Sequence, residues 1–177
     1  MQPIGPLMIE HRLIERMVSV IERKIVEMEK AGEADPAFID VAIDFIRTYA
    51  DRFHHGKEEK ILFRDLEKKK MKANDRRIME ELIQEHIKGR KLTGSLVAAK
   101  GRYVGGEEAA LITILDILKE LVDFYPKHIE KEDRVFFKPA MGYLSKEERD
   151  AMLEEEHEFD RQFTHEVYGD IVAKYEK

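Results

Sequence analysis

The sequence predicts an all-α protein, an antiparallel up-down-up-down four-helix bundle with an additional C-terminal helix. Three observations carry this expectation. Apolar residues recur in steps of three and four. Glycine and proline cluster at a few breaks, leaving five segments of about 7–31, 36–69, 75–100, 107–138 and 145–174. No alternating run and no Asn-Gly hairpin signal marks a strand. Four long helices with short connections read as a bundle. At 177 residues the chain has the length of one domain. Residues 1–177 are therefore read as a single domain, with the bundle over about 7–140 and the extra helix over about 145–174.

The first segment follows Pro3, Gly5 and Pro6 and keeps a 4-3-4-3 rhythm through Leu7, Ile14, Val18, Ile21, Ile25 and Met28, with His11 filling its one gap. The second opens on Asp35-Pro36, an N-cap followed by proline at the first helical position. Asn74 is the expected cap of the third, after the loop around Lys68–Lys72. The fourth carries Leu111, Ile114, Leu118, Leu121, Tyr125 and Val135 on one stripe, with His128 and Glu132 on core-facing positions. Pro126 removes one of its helical hydrogen bonds. The fifth opens on the capping box Ser145-x-x-Glu148. Its apolar face, Met152, Leu153, Phe159, Phe163, Val167 and Ile171, is expected to pack outside the bundle or at a partner surface, with a homodimer as one use of it.

Composition excludes several function classes. There are 31 Lys and Arg against 37 Asp and Glu, so no basic excess is available to clamp nucleic acid. Cysteine is absent, which excludes disulfides, thiolate-bound zinc, cysteine-ligated iron–sulfur clusters and a cysteine nucleophile. No apolar run approaches the roughly 18 residues of a membrane span. The first residues do not form a secretory signal. A cytoplasmic protein without membrane attachment is expected. No phosphate-binding glycine loop and no Ser–His–Asp order supports an ordinary enzyme. A metal-binding or sensing protein fits better.

The most informative feature is an internal repeat. His54-His55-Gly56-Lys57-Glu58-Glu59-Lys60-Ile61-Leu62-Phe63 lies 74 residues before His128-Ile129-Glu130-Lys131-Glu132-Asp133-Arg134-Val135-Phe136-Phe137. Glu10-His11 lies 75 residues before Glu85-His86. The chain reads as two copies of one helical hairpin, each offering a lone histidine and a His-x-x-x-Glu. Residues four apart share a helix face. Two such hairpins about a pseudo-twofold axis bring His11, His54, His86 and His128 together with Glu58 and Glu132. Four imidazole nitrogens and four carboxylate oxygens are eight donors, or four for each of two metals. Imidazole with carboxylate suits iron, manganese or zinc, and two cations would offset the cost of burying these groups. Positions left open on the metals suit a small ligand.

These residues, together with Gly89-Arg90 after His86, and Phe137 and Pro139 after the last motif, resemble the hemerythrin-like family, also called the His-His-Glu cation-binding domain. The resemblance covers roughly residues 7–140. It implies an antiparallel four-helix bundle around a non-haem, oxo- or hydroxo-bridged di-iron centre. Glu58 and Glu132 would bridge the metals, and His11, His54, His86 and His128 would be terminal ligands. Oxygen-carrying members have a fifth histidine one turn after the third-helix histidine; Arg90 stands there. The set is more similar to the branch linked to nitric oxide and oxidative stress. The implied function is to bind, sense or reduce oxygen, peroxide or nitric oxide. Iron storage or donation for cluster repair, and a metal-free helical interaction module, are the alternatives.

The remaining polar positions have plainer readings. His55 lies about 100° round an α-helix from His54 and is expected to face a neighbouring helix, the groups just behind the ligands, or solvent, rather than the metals. Glu59 and Asp133 point off the site, Asp133 being the alternative bridge. His157 and His165 read as surface or interface residues. Glu154-x-x-His157 is only half of a ferritin-type pair. Gly89, Thr93 and Gly94 mark either a small-molecule channel or close helix packing. Tyr49 and Tyr125 are read as core tyrosines that could also donate to the ligand histidines.

Overall fold

A computed structural model describes residues 2–175, and side chains as far as 164. The expectations for His165, Val167 and Ile171 lie outside the described side chains. The described residues are helical with short connections and contain no strand. Helix α1 is Ile4–Ala31. Helix α2 runs through 36–67 as an α-helix Pro36–Asp44, π-helical turns Phe45–His55 and Glu58–Phe63, and a last α-turn Arg64–Glu67. Helix α3 is Ala73–Val104. Helix α4 covers 110–141 as Ala110–Lys131, a π-helical turn Glu132–Phe136 and Phe137–Met141. Helix α5 is Lys146–Tyr175. No helix of the described residues is long and apolar enough to cross a membrane.

Local chemistry explains most of the boundaries. The Asp35 carboxylate accepts the Phe38 N–H at 3.0 Å, and Pro36 follows it at the helix start. Gly32 ends α1 at φ +69°, where a side chain would be strained, and its N–H reaches the Met28 carbonyl. The capping box forms in both directions: Ser145 N–H donates to Glu148 at 2.9 Å and Glu148 N–H to the Ser145 hydroxyl at 3.2 Å. Helix α1 starts earlier than its apolar rhythm, because Gly5 and Pro6 sit in the first turn, where their limitations cost little. Asn74 is not the cap of α3. It lies inside the first turn and accepts from Arg77 at 3.0 Å.

Helix α1 packs on α2 and α4, and α3 packs on α2 and α4. The buried apolar residues form two clusters. One contains Ile14, Ile21, Ala50, Leu96, Leu121 and Ile129. The other contains Leu7, Ile61, Leu82, Phe136 and Met152. The buried histidines and glutamates of the repeat lie where the two clusters meet: His11 between Leu7 and Ile14, His54 and Glu58 between Ala50 and Ile61, His86 between Leu82 and Leu96, and His128 and Glu132 on either side of Ile129. Helix α5 lies against the π-turn Glu58–Phe63 of α2. Phe159 sits so close to Gly56 that a Cβ there would approach its ring to 3.0 Å. Val135, expected on the α4 stripe, is 48% exposed. The π-turn at 132–136 follows an i→i+5 pattern and advances the buried face to Phe136 and Phe137.

Candidate metal centre

One polar residue or pair from each of the four helices enters the layer between the apolar clusters: His11 from α1, His54 and Glu58 from α2, His86 from α3, and His128 and Glu132 from α4. All six are buried. Glu132 lies 3.1 Å from Nε2 of both His11 and His128, and Glu58 lies 3.3 Å from Nε2 of His86 and 3.6 Å from Nε2 of His54. One donor atom from each of His11, His54, Glu58 and Glu132 falls within 4.8 Å of the others, and so does one from each of His55, Glu58, His86 and His128. Glu58 belongs to both groups.

The donor set fits metal cations. Among the described residues, the buried side-chain polar atoms without a hydrogen-bond partner are Nε2 of His11, His54, His86 and His128, both oxygens of Glu58 and Glu132, and both oxygens of Glu156. Unpartnered buried polar atoms are rare, because each forfeits its hydration. Eight of them converging as four nitrogens and four oxygens make a hard, oxygen- and nitrogen-rich environment for divalent cations.

Each histidine is aimed by a carboxylate on its other nitrogen. Nδ1 of His11 meets Asp133 at 2.7 Å, that of His86 meets Glu59 at 2.7 Å, that of His54 meets Glu10 at 2.8 Å and that of His128 meets Glu85 at 2.8 Å. A basic residue then neutralises each carboxylate: Arg12 on Asp133, Arg90 on Glu59, Lys57 on Glu10 and Lys131 on Glu85. This outer ring locks ring orientation and leaves Nε2 directed inward. Arg90, where a fifth histidine stands in oxygen carriers, holds Glu59 and Asp51. Asp133 is engaged by His11 at 2.7 Å and by Arg12.

The electrostatics show what the layer does with protons. Burial opposes a charged His11, but the hydrogen bond to Asp133 and the facing Glu132 carboxylate outweigh it and lift the imidazole to about 10. Burial also opposes charge on Glu132, yet His128, His11 and His86 hold it well below the carboxylate range. Burial and the charge of Glu132 push Glu58 up to about 7. The carboxylates thus favour protonated His11, His86 and His128, while burial and the charge of His11 hold His54 well below the ordinary imidazole range; cations bound there would compete with those protons.

Three further residues take part. His55 is buried, because the wide π-helical path of α2 turns it inward beside His54, and its ring stacks on His86 at 3.8 Å. Burial, followed by the charge of His86, drives it down to about 3. Lys57 is fully buried, with its ammonium 2.8 Å from Asp160 of α5 and over the Phe53 ring at 3.9 Å. Glu156, also on α5, is fully buried. The repeat did signal Lys57, whose counterpart is Lys131. Nothing in the acidic run Glu154-Glu155-Glu156 distinguishes its last member. His157 is exposed, as is Glu154, so no ferritin-type pair forms.

Burial lifts the Glu156 carboxyl to about 8, with Lys57 only partly opposing. Its folded value exceeds its unfolded value, so the folded state holds the extra proton, and stability falls as pH rises from about 4.5 to about 8. Glu156→Gln is expected to match wild type near pH 5. Near pH 9 it should be more stable by about 2–5 kcal/mol. Urea unfolding of both metal-free proteins at the two pH values reads this directly. A gap that does not change with pH would mean that Glu156 ionises freely in the folded protein.

Comparison with known proteins agrees with this geometry. Uncharacterized proteins of Mycobacterium bovis and of two strains of Mycobacterium tuberculosis are each 25% identical over 169 residues, covering 95% of this chain. The chain spans 65% of the length of these curated relatives. No solved structure matches. The model of the hemerythrin HHE cation-binding domain matches residues 2–138, which carry all six buried histidines and glutamates of the inner layer: the chain belongs to the hemerythrin HHE cation-binding domain family.

Proposed function

We propose that this chain is a non-haem di-iron protein that binds, senses or reduces a small molecule, namely oxygen, peroxide or nitric oxide. The observation that carries the proposal is the set of eight buried, unpartnered donor atoms, four of them on imidazoles oriented from behind by carboxylates. His11 and His54 would hold one metal, His86 and His128 the other, with Glu58 and Glu132 shared between them. The fold that serves this function is an antiparallel up-down-up-down four-helix bundle within a single domain, with α5 as the added C-terminal helix. Iron is the metal preferred here; manganese and zinc accept the same donors.

Iron bound in this layer would supply redox chemistry and open coordination positions. The chain's own residues do the rest. Glu10, Glu59, Glu85 and Asp133 hold the imidazoles in one tautomer. The two apolar clusters keep bulk water from the layer. Lys57, Lys131, Arg12 and Arg90 balance the outer carboxylates, so the inner layer presents a net charge suited to two divalent ions.

Elemental analysis tests the reading. Wild type loaded with ferrous ion without oxygen is expected to retain close to two irons per chain. His128→Ala should lose at least one. Wild type that retains none, with the variant indistinguishable from it, would mean that the repeat maintains packing rather than metal chemistry.

A further inference from the structure

Beside the centre lies a cavity of about 230 Å³. Its inner lining is formed by Ile46, His55, Gly89, Thr93 and Tyr125, all buried, and at its mouth stand Asp51 and the exposed Arg47 and Arg90. We propose that this cavity is the chamber through which a small polar ligand of the peroxide class reaches the metals, with His55 as the wall between chamber and centre. The inference rests on the di-iron reading above and narrows its ligand.

Position is the first argument. The His55 ring lies flat on His86 at 3.8 Å, with 12° between the planes, and meets His128 edge-on at 5.6 Å. Both partners belong to the inner layer. One imidazole therefore separates the cavity from the donor atoms, and one nitrogen of that imidazole is within 4.8 Å of donors on Glu58, His86 and His128.

Gly89 is the second argument. It sits inside α3, where glycine costs about 1 kcal/mol relative to alanine. Its φ is not positive, and a Cβ would meet only the Phe124 ring at 3.5 Å, an ordinary contact. Neither backbone conformation nor helix packing requires glycine there. Gly89 lines the cavity, so a longer side chain there has room to extend into it.

The lining chooses the ligand. A water takes about 30 Å³ of liquid, so the chamber has room for about seven waters: it readily admits a molecule of two or three heavy atoms and is smaller than pockets for drug-sized compounds. Thr93 donates its hydroxyl proton to the Gly89 carbonyl at 2.8 Å, which leaves its oxygen lone pairs to accept. Tyr125 adds a phenol and His55 an imidazole. An apolar diatomic gains nothing from these groups. Hydrogen peroxide donates and accepts, and so matches these groups.

The test uses the full chain loaded with iron and two probes, hydrogen peroxide and nitric oxide, mixed rapidly and followed by absorbance. Gly89→Met and, as a second filling variant, Thr93→Leu are checked for iron content and for the melting temperature of the metal-free protein. Both are expected to keep two irons and a wild-type melting temperature. Both probes should then react at least ten-fold more slowly. Tyr125→Phe should lower the ratio of peroxide rate to nitric-oxide rate at least three-fold. Wild-type rates in a filling variant that keeps its iron and its melting temperature overturn the chamber and leave the di-iron reading standing. An unchanged rate ratio in Tyr125→Phe overturns the polar ligand class. Wild type that holds no iron overturns both readings.

Discussion

Chelating the metal from the loaded protein is expected to lower its melting temperature by about 15–30 °C. Each ion present at a thousand times its dissociation constant stabilises the folded state by about 4 kcal/mol, so two contribute about 8. For a chain of this length each kcal/mol moves the midpoint by about 2–4 °C. Glu58→Ala is the decisive companion, because Glu58 belongs to both donor groups. Its loaded form should melt where chelated wild type melts. Its metal-free form should be no less stable than metal-free wild type, since burial and Glu132 already disfavour the Glu58 charge. Calorimetry of four samples, loaded and chelated, wild type and variant, checks this. Identical traces for loaded and chelated wild type would return the layer to a packing role.

The second large effect is expected away from the inner layer. Glu10→Ala should cost about 3–5 kcal/mol, the usual penalty for leaving one member of a buried ion pair without its partner. The Lys57 side chain is fully buried, and its remaining partner, Asp160, is 38% exposed. The same substitution frees Nδ1 of His54, so iron affinity should also fall, by about 10–100-fold. Glu85→Ala, the matching change in the other half of the repeat, should weaken iron to a similar degree but cost only about 1 kcal/mol in stability. Lys131 is partly exposed and keeps Glu81 as a partner at 3.5 Å. Adding Lys57→Met to Glu10→Ala removes the stranded ammonium and should restore most of the lost stability. Urea unfolding of the single and double variants measures this, and equal costs for Glu10→Ala and Glu85→Ala would refute the role given to α5.

These two predictions differ because the repeat is symmetric in sequence and unequal in space. Glu10, His54 and Lys57 match Glu85, His128 and Lys131 residue for residue. Among the described residues, helix α5 covers the first set, through Asp160 and Phe159. The amphipathic pattern of the fifth segment announced that it packs, but not against which helix.

Helix content, the caps at Asp35 and Ser145 and the six residues that meet in the inner layer were all legible in the amino-acid order. Each depends on neighbours within one or two helical turns, so a rhythm of three and four or a two-residue cap suffices to encode it. His11, His54, Glu58, His86, His128 and Glu132 were legible for a further reason: a duplicated hairpin writes the same polar positions twice. Four features were settled only by the folded structure: the stacking of His55 on His86, the exposure of Val135, the burial of Lys57 and the burial of Glu156. The first two follow from π-helical turns, which have no residue signature and shift every later side chain around the helix. The last two arise where α5 closes on a helix about a hundred residues earlier. A charged side chain looks the same in a sequence whether solvent or another helix surrounds it, and its energy is decided by which of the two it meets.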